Sequence, residues 1–513
     1  MMTLFTLGII ALIYLILKRN FTQWQRLGFP TDHPFQTTIK LGLKEKPFGL
    51  IMADIYARCR EKLVGTYIFM KPVLLVKDTE LLRQILTSDF ANFHDRGIYV
   101  DEQNDPLSAN LGSLKGSSWR TLRTKLTPSF TSGKLKAMFG TIDAVGDRLI
   151  NHLQERLKDG QSHCLEIKNL LTTYTIDVIG SVIFGLNVDS FKYPDNEFRD
   201  LSDRIFNTEK SSVLIKFRTL MVFIYPPIVK LLTRLGLEDP VLCRLRDIMK
   251  ETIEFREQNG VVRRDLLQLL IQLRNTGKIT DDNDTNWSIE TTADNLKAMS
   301  IDVIAANAFL FYIAGSETTS AATAFTLYDL AMNPKVLLKL QTEIDDILQK
   351  HGLKAQGSLT YDAIQDMKYL DLCVKETTRK YPGLPFLNRE CTQDYHIPRS
   401  DLTIPKGTPI FISLWGMHRD PELFPDPLDY KPERFTETNY NPMAYMPFGE
   451  GPRHCIAQRM GVMNAKIALV KILANFNIEE MPRKEVEFVF HSAPVLVPKE
   501  GLRIKMSKRM SMK

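Results

Sequence analysis

The run Phe448-Gly449-Glu450-Gly451-Pro452-Arg453-His454-Cys455-Ile456-Ala457 constrains this chain more than any other segment. It delivers one cysteine from a glycine-rich loop to the start of a long helical pattern, 456–476. There Val462, Ala465, Ala468, Leu469, Ile472 and Leu473 recur at helical spacing. A sulfur at a helix N-terminus faces unpaired N–H groups and the positive end of the dipole, and both favour thiolate over thiol. Gly449 and Gly451 permit a sharp turn and close approach of the backbone to a flat ligand. Arg453 is placed to neutralise an acidic group on that ligand, and Phe448 to shield the sulfur from water. The bland alternative is a structural cysteine in a tight turn, the common state of a free cysteine.

The other cysteines, Cys59, Cys164, Cys243, Cys373 and Cys391, are scattered without a CxxC pair. That excludes a zinc module and argues against a disulfide framework, so a reducing surrounding is expected. The chain has 513 residues, 44% hydrophobic and 25% charged, with net charge +6 and no interior linker or repeat. One large domain behind an N-terminal segment fits better than the several that about 150 residues per domain would suggest. From about Asp78 the pattern reads mainly as helices, with strand-like runs at 65–76, after 384 and over 485–504. A long apolar helix starts at Ser300, a candidate N-cap with Asp302 in the first turn, and stops at Asn333-Pro334. Further helices are expected over 334–349 and 369–379.

Residues 1–17 carry no charged side chain, and Lys18 and Arg19 follow at once. Such a helix reaches about 25 Å, slightly short of a hydrocarbon core of about 30 Å; snorkelling of Lys18 and an interfacial Trp24 cover the difference. A cleaved signal peptide is disfavoured by the absence of a basic start and of a small-x-small cleavage site. The basic flank puts the rest of the chain in the cytosol. The expected division is an anchor over 1–19, a proline-containing linker over 20–35 and a catalytic domain over 36–513. Two sequons, at Asn283 and Asn286, would then stay unmodified.

The pattern Phe-x-x-Gly-x-Arg-x-Cys-x-(Gly/Ala) resembles the haem-binding signature of cytochromes P-450, matched by Phe448, Gly451, Arg453, Cys455 and Ala457. Other motifs resemble the same family. Ala314-Gly315-Ser316-Glu317-Thr318-Thr319 interrupts the long helix with a residue costing about 1 kcal/mol relative to alanine and with threonines that divert backbone bonds, so a widened turn is predicted. By the resemblance, Glu317 and Thr318 are the acid–alcohol pair that delivers protons during oxygen activation. Glu376 and Arg379 share a helix face; with Arg434 they resemble the family's structural lock behind the haem loop. Trp119 and Arg123 resemble a propionate-binding pair, joined by Arg389 and Arg96. Phe309, Phe311 and Ala314, with the loop 98–111, are the substrate-side candidates.

The stretch 106–142 holds no Asp or Glu but carries Lys115, Arg120, Arg123, Lys125, Lys134 and Lys136. It is a solvated basic face or a dock for an acidic electron donor; no nucleic-acid motif accompanies it. Residues 213–237 are apolar but broken by Pro226-Pro227, either a core helix pair or a loop dipping into a membrane surface.

The resemblance is closest to insect microsomal members of the sixth family, with Gly383 departing where relatives commonly carry a second proline. It implies a mainly α fold with small β-sheets behind a transmembrane helix, and haem b ligated by the Cys455 thiolate. The implied enzyme sits in the endoplasmic reticulum membrane and inserts one oxygen atom of O2 into lipophilic small molecules, xenobiotics foremost, with hormones and fatty acids as other substrates. Electrons come from NADPH through a separate cytochrome P-450 reductase, with cytochrome b5 as an optional second donor, since no nucleotide-binding GxGxxG is present. Two alternatives stand beside it: a haem-thiolate peroxide isomerase, which has no need of Glu317 and Thr318, and a ligand sensor or carrier without turnover.

Overall fold

Ser300 obeys its local signal: its Oγ accepts the Val303 N–H at 3.2 Å and opens a helix, Ile301–Ala331. A computed structural model describes Tyr14, Leu15 and residues 18–509, apart from 34–35, 37–38, 41–42, 44–45, 69–70, 207–211, 238–239, 278–298, 437–439 and 490–493. The helices that position the site are α1 (Phe48–Arg58), α2 (Gly116–Leu126), α3 (Ser132–Arg156), α4 (Ile167–Val182), α5 (Val213–Ile224), α6 (Pro226–Arg234), α7 (Ile301–Ala331), α8 (Pro334–Lys350), α9 (Lys368–Lys380) and α10 (Gln458–Asn475). Pro334 opens α8, where a missing N–H costs nothing.

α7 crosses the molecule against α4, α9 and α10. A Cβ on Gly315 would lie 2.9 Å from Ile179 Cδ1 of α4. Gly315 therefore serves close helix packing, and helical bonding continues through 314–319 where a widened turn was expected. Strands β1 (Leu63–Ile68), β2 (Lys71–Val76), β3 (His163–Glu166), β4 (Phe386–Glu390), β5 (Pro409–Ser413), β6 (Phe476–Ile478) and β7 (Arg503–Lys508) form two sheets. One has the order β1-β2-β5-β4, with β2 parallel to β5 and Arg389 opposite Ile410; the other is antiparallel, β3-β7-β6. The fold is thus mainly α with small β-sheets.

One apolar cluster is helical and includes Leu149, Tyr174, Ile304, Leu327 and Leu469. A second surrounds the four-stranded sheet and α1, with Ile51, Met52, Leu74 and Ile412. Trp24 is fully buried in the second; its indole N–H donates to the Thr66 carbonyl at 3.0 Å, and the Gly65 N–H donates to the Pro30 carbonyl at 2.7 Å. The expected linker is therefore packed along β1 over its described length, and Trp24 lies inside protein instead of at an interface. A tryptophan this apolar gains more from a dry pocket than from a wet boundary.

Among the described residues no helix is long and apolar enough to cross a membrane. The apolar run 1–17 and both sequons lie almost wholly outside the described residues. The helix pair α5–α6 is core on one side only: Met221 and Val229 are buried in the second cluster, while Val213, Phe217 and Leu231, with Tyr225 and Leu235 at the helix ends, are exposed.

Candidate active site

The cysteine loop is held by backbone sterics. Gly451 has φ +73°, and a Cβ there would meet the Leu86 carbonyl oxygen at 1.8 Å, so only glycine lets the loop press on the wide turn Gln84–Ser88. The Cys455 N–H closes the loop on the Phe448 carbonyl at 2.8 Å. α10 starts three residues later, with the Ala457 N–H directed at the Cys455 sulfur. Cys455 is accessible, yet its sulfur is crowded by protein, so it opens into an interior recess. Burial raises its thiol above the ordinary value, against the pull of the Ala457 N–H, Arg96 and Arg123. The helix terminus alone does not win, contrary to the sequence reading; a metal cation on sulfur would ionise it.

Four arginines cluster beside that recess: Arg96 and Arg123 act on the sulfur, and Arg389 and Arg453 neighbour Arg96. Arg453 is buried, with Nε donating to the His94 carbonyl (2.8 Å), Nη1 to that of Leu111 (3.2 Å) and Nη2 to that of Leu114 (2.6 Å), while its guanidinium lies 4.1 Å from the Trp119 ring centre. Arg96 donates to the Arg453 carbonyl at 3.1 Å, and Arg123 to that of His454 at 3.0 Å. Arg389, 2% exposed on β4, donates to the Asn388 carbonyl at 2.8 Å, but its Nε has no partner. Burial and the neighbouring Arg96 push Arg389 down to about 9; burial, Arg96 and Arg389 push Arg453 down to about 8. A guanidinium keeps its charge at neutral pH, so these shifts express missing counter-charge. Asp95, 3.8 Å from Arg453, is their only ion-pair partner among the described residues. A planar iron-bearing ligand with two carboxylates, ligated through the Cys455 sulfur, fits both the unmatched charge and the orphaned Nε.

α7 carries Asn307, Leu310, Ala314 and Thr318 along one side. Thr318 Oγ1 donates to the Ala314 carbonyl at 2.5 Å. Gly383, beyond α9, sits against it: a Cβ there would lie 3.1 Å from Thr318 Cβ and 3.2 Å from Cγ2. Glu317 turns elsewhere, with its carboxylate 3.0 Å from Lys168 Nζ on α4. That ammonium also donates to Ser320 Oγ and Thr172 Oγ1, each at 3.0 Å. The acid and the alcohol thus diverge, and Lys168 is a partner that sequence reading missed. Ala314 is exposed and Phe309 half-buried; Phe311 is buried with its ring on Phe130, so it faces the core. Leu310 instead approaches the loop at Gly112.

Glu376, Arg379 and Arg434 are brought together as expected. Arg379 Nε and Nη2 grip both Glu376 oxygens at 2.8 Å, and Arg434 Nε reaches Oε1 at 3.0 Å. Arg379 Nη1 donates to the His418 carbonyl at 2.7 Å. His418, fully buried, donates from Nδ1 to the Arg379 carbonyl (3.0 Å) and accepts the Met446 N–H on Nε2 (3.3 Å), joining the lock to the cysteine loop. The basic stretch is smaller than its sequence suggests: Lys134 is buried and Lys136 pairs with Asp362 at 3.2 Å.

A sulfur donor facing a recess with an anion-seeking rim defines a class, the haem-thiolate enzymes. Comparison with known proteins gives the family. Residues 28–506 match cytochrome P450, and the chain belongs to that family. It is similar to cytochrome P450 6d1 of Musca domestica, 67% identical with 98% of each chain covered, and to cytochrome P450 6d3 of the same organism, 64% identical with 99% of each covered. A probable cytochrome P450 6d2 of Drosophila melanogaster is 57% identical over 99% of each chain. The protein is accordingly a haem-thiolate monooxygenase of lipophilic small molecules that uses O2 and NADPH-derived electrons from a separate redox partner. Neither the peroxide isomerase nor the turnover-free carrier is favoured.

Proposed function

We propose that Cys455 would supply the thiolate that holds the haem iron and that Arg96, Arg123, Arg389, Arg453 and Trp119 would hold its two propionates, with foreign lipophilic compounds as the substrates. One observation carries this reading: four arginines with one ion-pair partner among the described residues, and an orphaned buried Nε, lie beside the recess at the cysteine. Bound haem supplies the iron at which O2 is activated. Phe448 and Gly451 shape the loop and exclude water from the sulfur. Glu317, held by Lys168, is the proton source for Thr318 Oγ1; delivery requires the carboxylate to turn from Lys168 and Oγ1 to leave the Ala314 carbonyl. Glu376, Arg379 and Arg434 lock the scaffold without touching the reacting atoms.

Residues 1–19 form a single-span anchor in the endoplasmic reticulum membrane, with the body in the cytosol. The outward apolar residues of α5 and α6 rest in the bilayer surface. NADPH–cytochrome P-450 reductase, and cytochrome b5 as a second donor, dock on the face carrying Arg120 and Lys125.

Reconstitution with purified reductase and NADPH tests the site. Thr318→Ala is expected to keep the spectrum of the reduced carbon-monoxide complex and to consume NADPH while diverting electrons from product to hydrogen peroxide. An unchanged product yield would remove the proton-delivery pair. Glycosidase-sensitive forms of the protein would overturn the orientation.

A further inference from the structure

Asn307 is fully buried in α7 among Ile304, Ala306, Ala308 and Phe311. A buried amide in such company costs free energy unless both its ends are bonded. Its Nδ2 donates to the Val303 carbonyl at 2.7 Å, within its own helix. Its Oδ1 accepts the Leu111 N–H at 3.0 Å, across 196 residues of chain. The carbonyl of that same Leu111 accepts from Arg453 Nη1 at 3.2 Å. One peptide segment is therefore gripped on one side by α7 and on the other by the cysteine loop.

The turn around Leu111 is bonded within itself. Asn110 Oδ1 accepts the N–H groups of Gly112 (2.9 Å) and Ser113 (3.3 Å), and Arg453 Nη2 takes the Leu114 carbonyl at 2.6 Å. Gly112 stands between Leu310 of α7 and Arg96. Val303 is already the backbone acceptor of the Asn307 N–H in helical register, so the helix itself does not need the amide.

We infer that Asn307 is a positioning residue that sets the shape of the substrate side by fixing the turn 110–114 against α7. This rests on the haem-site reading above. Removing the amide oxygen leaves the Leu111 N–H buried without a partner and frees the turn on the α7 side, while Arg453 still holds it on the sulfur side.

The test compares the holoenzyme with its Asn307→Ala and Asn307→Asp variants. Two nitrogen ligands of haem iron are titrated, imidazole and the bulkier 4-phenylimidazole, and amide hydrogen exchange is followed over 108–116. Asn307→Ala should weaken 4-phenylimidazole about tenfold, leave imidazole within about twofold, and speed Leu111 exchange at least about tenfold. Asn307→Asp, isosteric and neutral when protonated in a dry site, should restore both toward the parent at mildly acidic pH. Unchanged 4-phenylimidazole binding and unchanged exchange overturn the inference. Equal weakening of both ligands also overturns it, since the effect is then not on pocket shape. If Asn307→Ala does not fold, Asn307→Asp decides alone: loss of Leu111 protection at every pH overturns it. Exchange needs no haem, whereas failure of the haem-site reading shows in the parent, as a reduced carbon-monoxide spectrum without the thiolate signature.

Discussion

Two arginine clusters in this molecule behave in opposite ways. At the lock, the carboxylate of Glu376 meets Arg379 and Arg434, and their other hydrogen bonds end on the carbonyls of His418, Asp429, Pro425 and Asp426. At the cysteine loop, Arg96, Arg123, Arg389 and Arg453 end on carbonyls, on the His454 ring nitrogen or on nothing, and among the described residues a single carboxylate at 3.8 Å answers them. A charge matched within the chain holds the chain; a charge left unmatched is held ready for something else. The contrast separates scaffold from binding site without reference to motif.

The contrast is broken most severely by Cys455→Ser. Turnover should vanish and the reduced carbon-monoxide spectrum should lose its thiolate signature, while far-ultraviolet circular dichroism stays unchanged. Glu376→Ala should do the reverse. It leaves the buried Arg379 and the half-buried Arg434 without a counter-charge and should cost about 3–5 kcal/mol in urea unfolding, with haem lost only because the fold is.

A smaller effect comes from His418, between the two clusters. Burial, with Arg379 and Arg419 nearby, depresses it from its ordinary 6.5 to about 3. The unfolded chain therefore binds a proton below 6.5 that the folded chain refuses. Its contribution is complete above 6.5 and is lost as pH falls toward 3. Between pH 6.5 and 5 this group should remove about 2 kcal/mol, and His418→Gln should flatten that slope in urea midpoints.

Arg389→Met should give the smallest effect and the clearest sign. Replacing an unpaired buried cation with an apolar side chain should stabilise the haem-free protein by about 1 kcal/mol. The same change should speed haem transfer to apomyoglobin several-fold. Destabilisation of the haem-free form would mean that Arg389 belongs with the lock.

Much of this was legible locally. Ser300 caps its helix, Pro334 opens the next, and the helix expected at 369–379 is Lys368–Lys380, because capping and proline geometry act within one turn. The strand-like run 65–76 falls in an antiparallel pair, Leu63 facing Val76, whose near-continuous burial matches its unbroken apolar run. Glu376–Arg379 was readable at i, i+3. What escaped was nonlocal: Lys168 lies 149 residues from Glu317, and no periodicity links them. Phe311 packs its ring on Phe130, a contact that no periodicity in the sequence announces. Lys134 misled, since charge in sequence says nothing of burial.

Gly383 joins two parts of the chain that would otherwise vary independently. Any side chain there must push the Thr318 methyl group or be pushed by it, with a few tenths of an ångström at stake. Residues 318 and 383 therefore form a single steric unit, and a library that redesigns either one should vary both together.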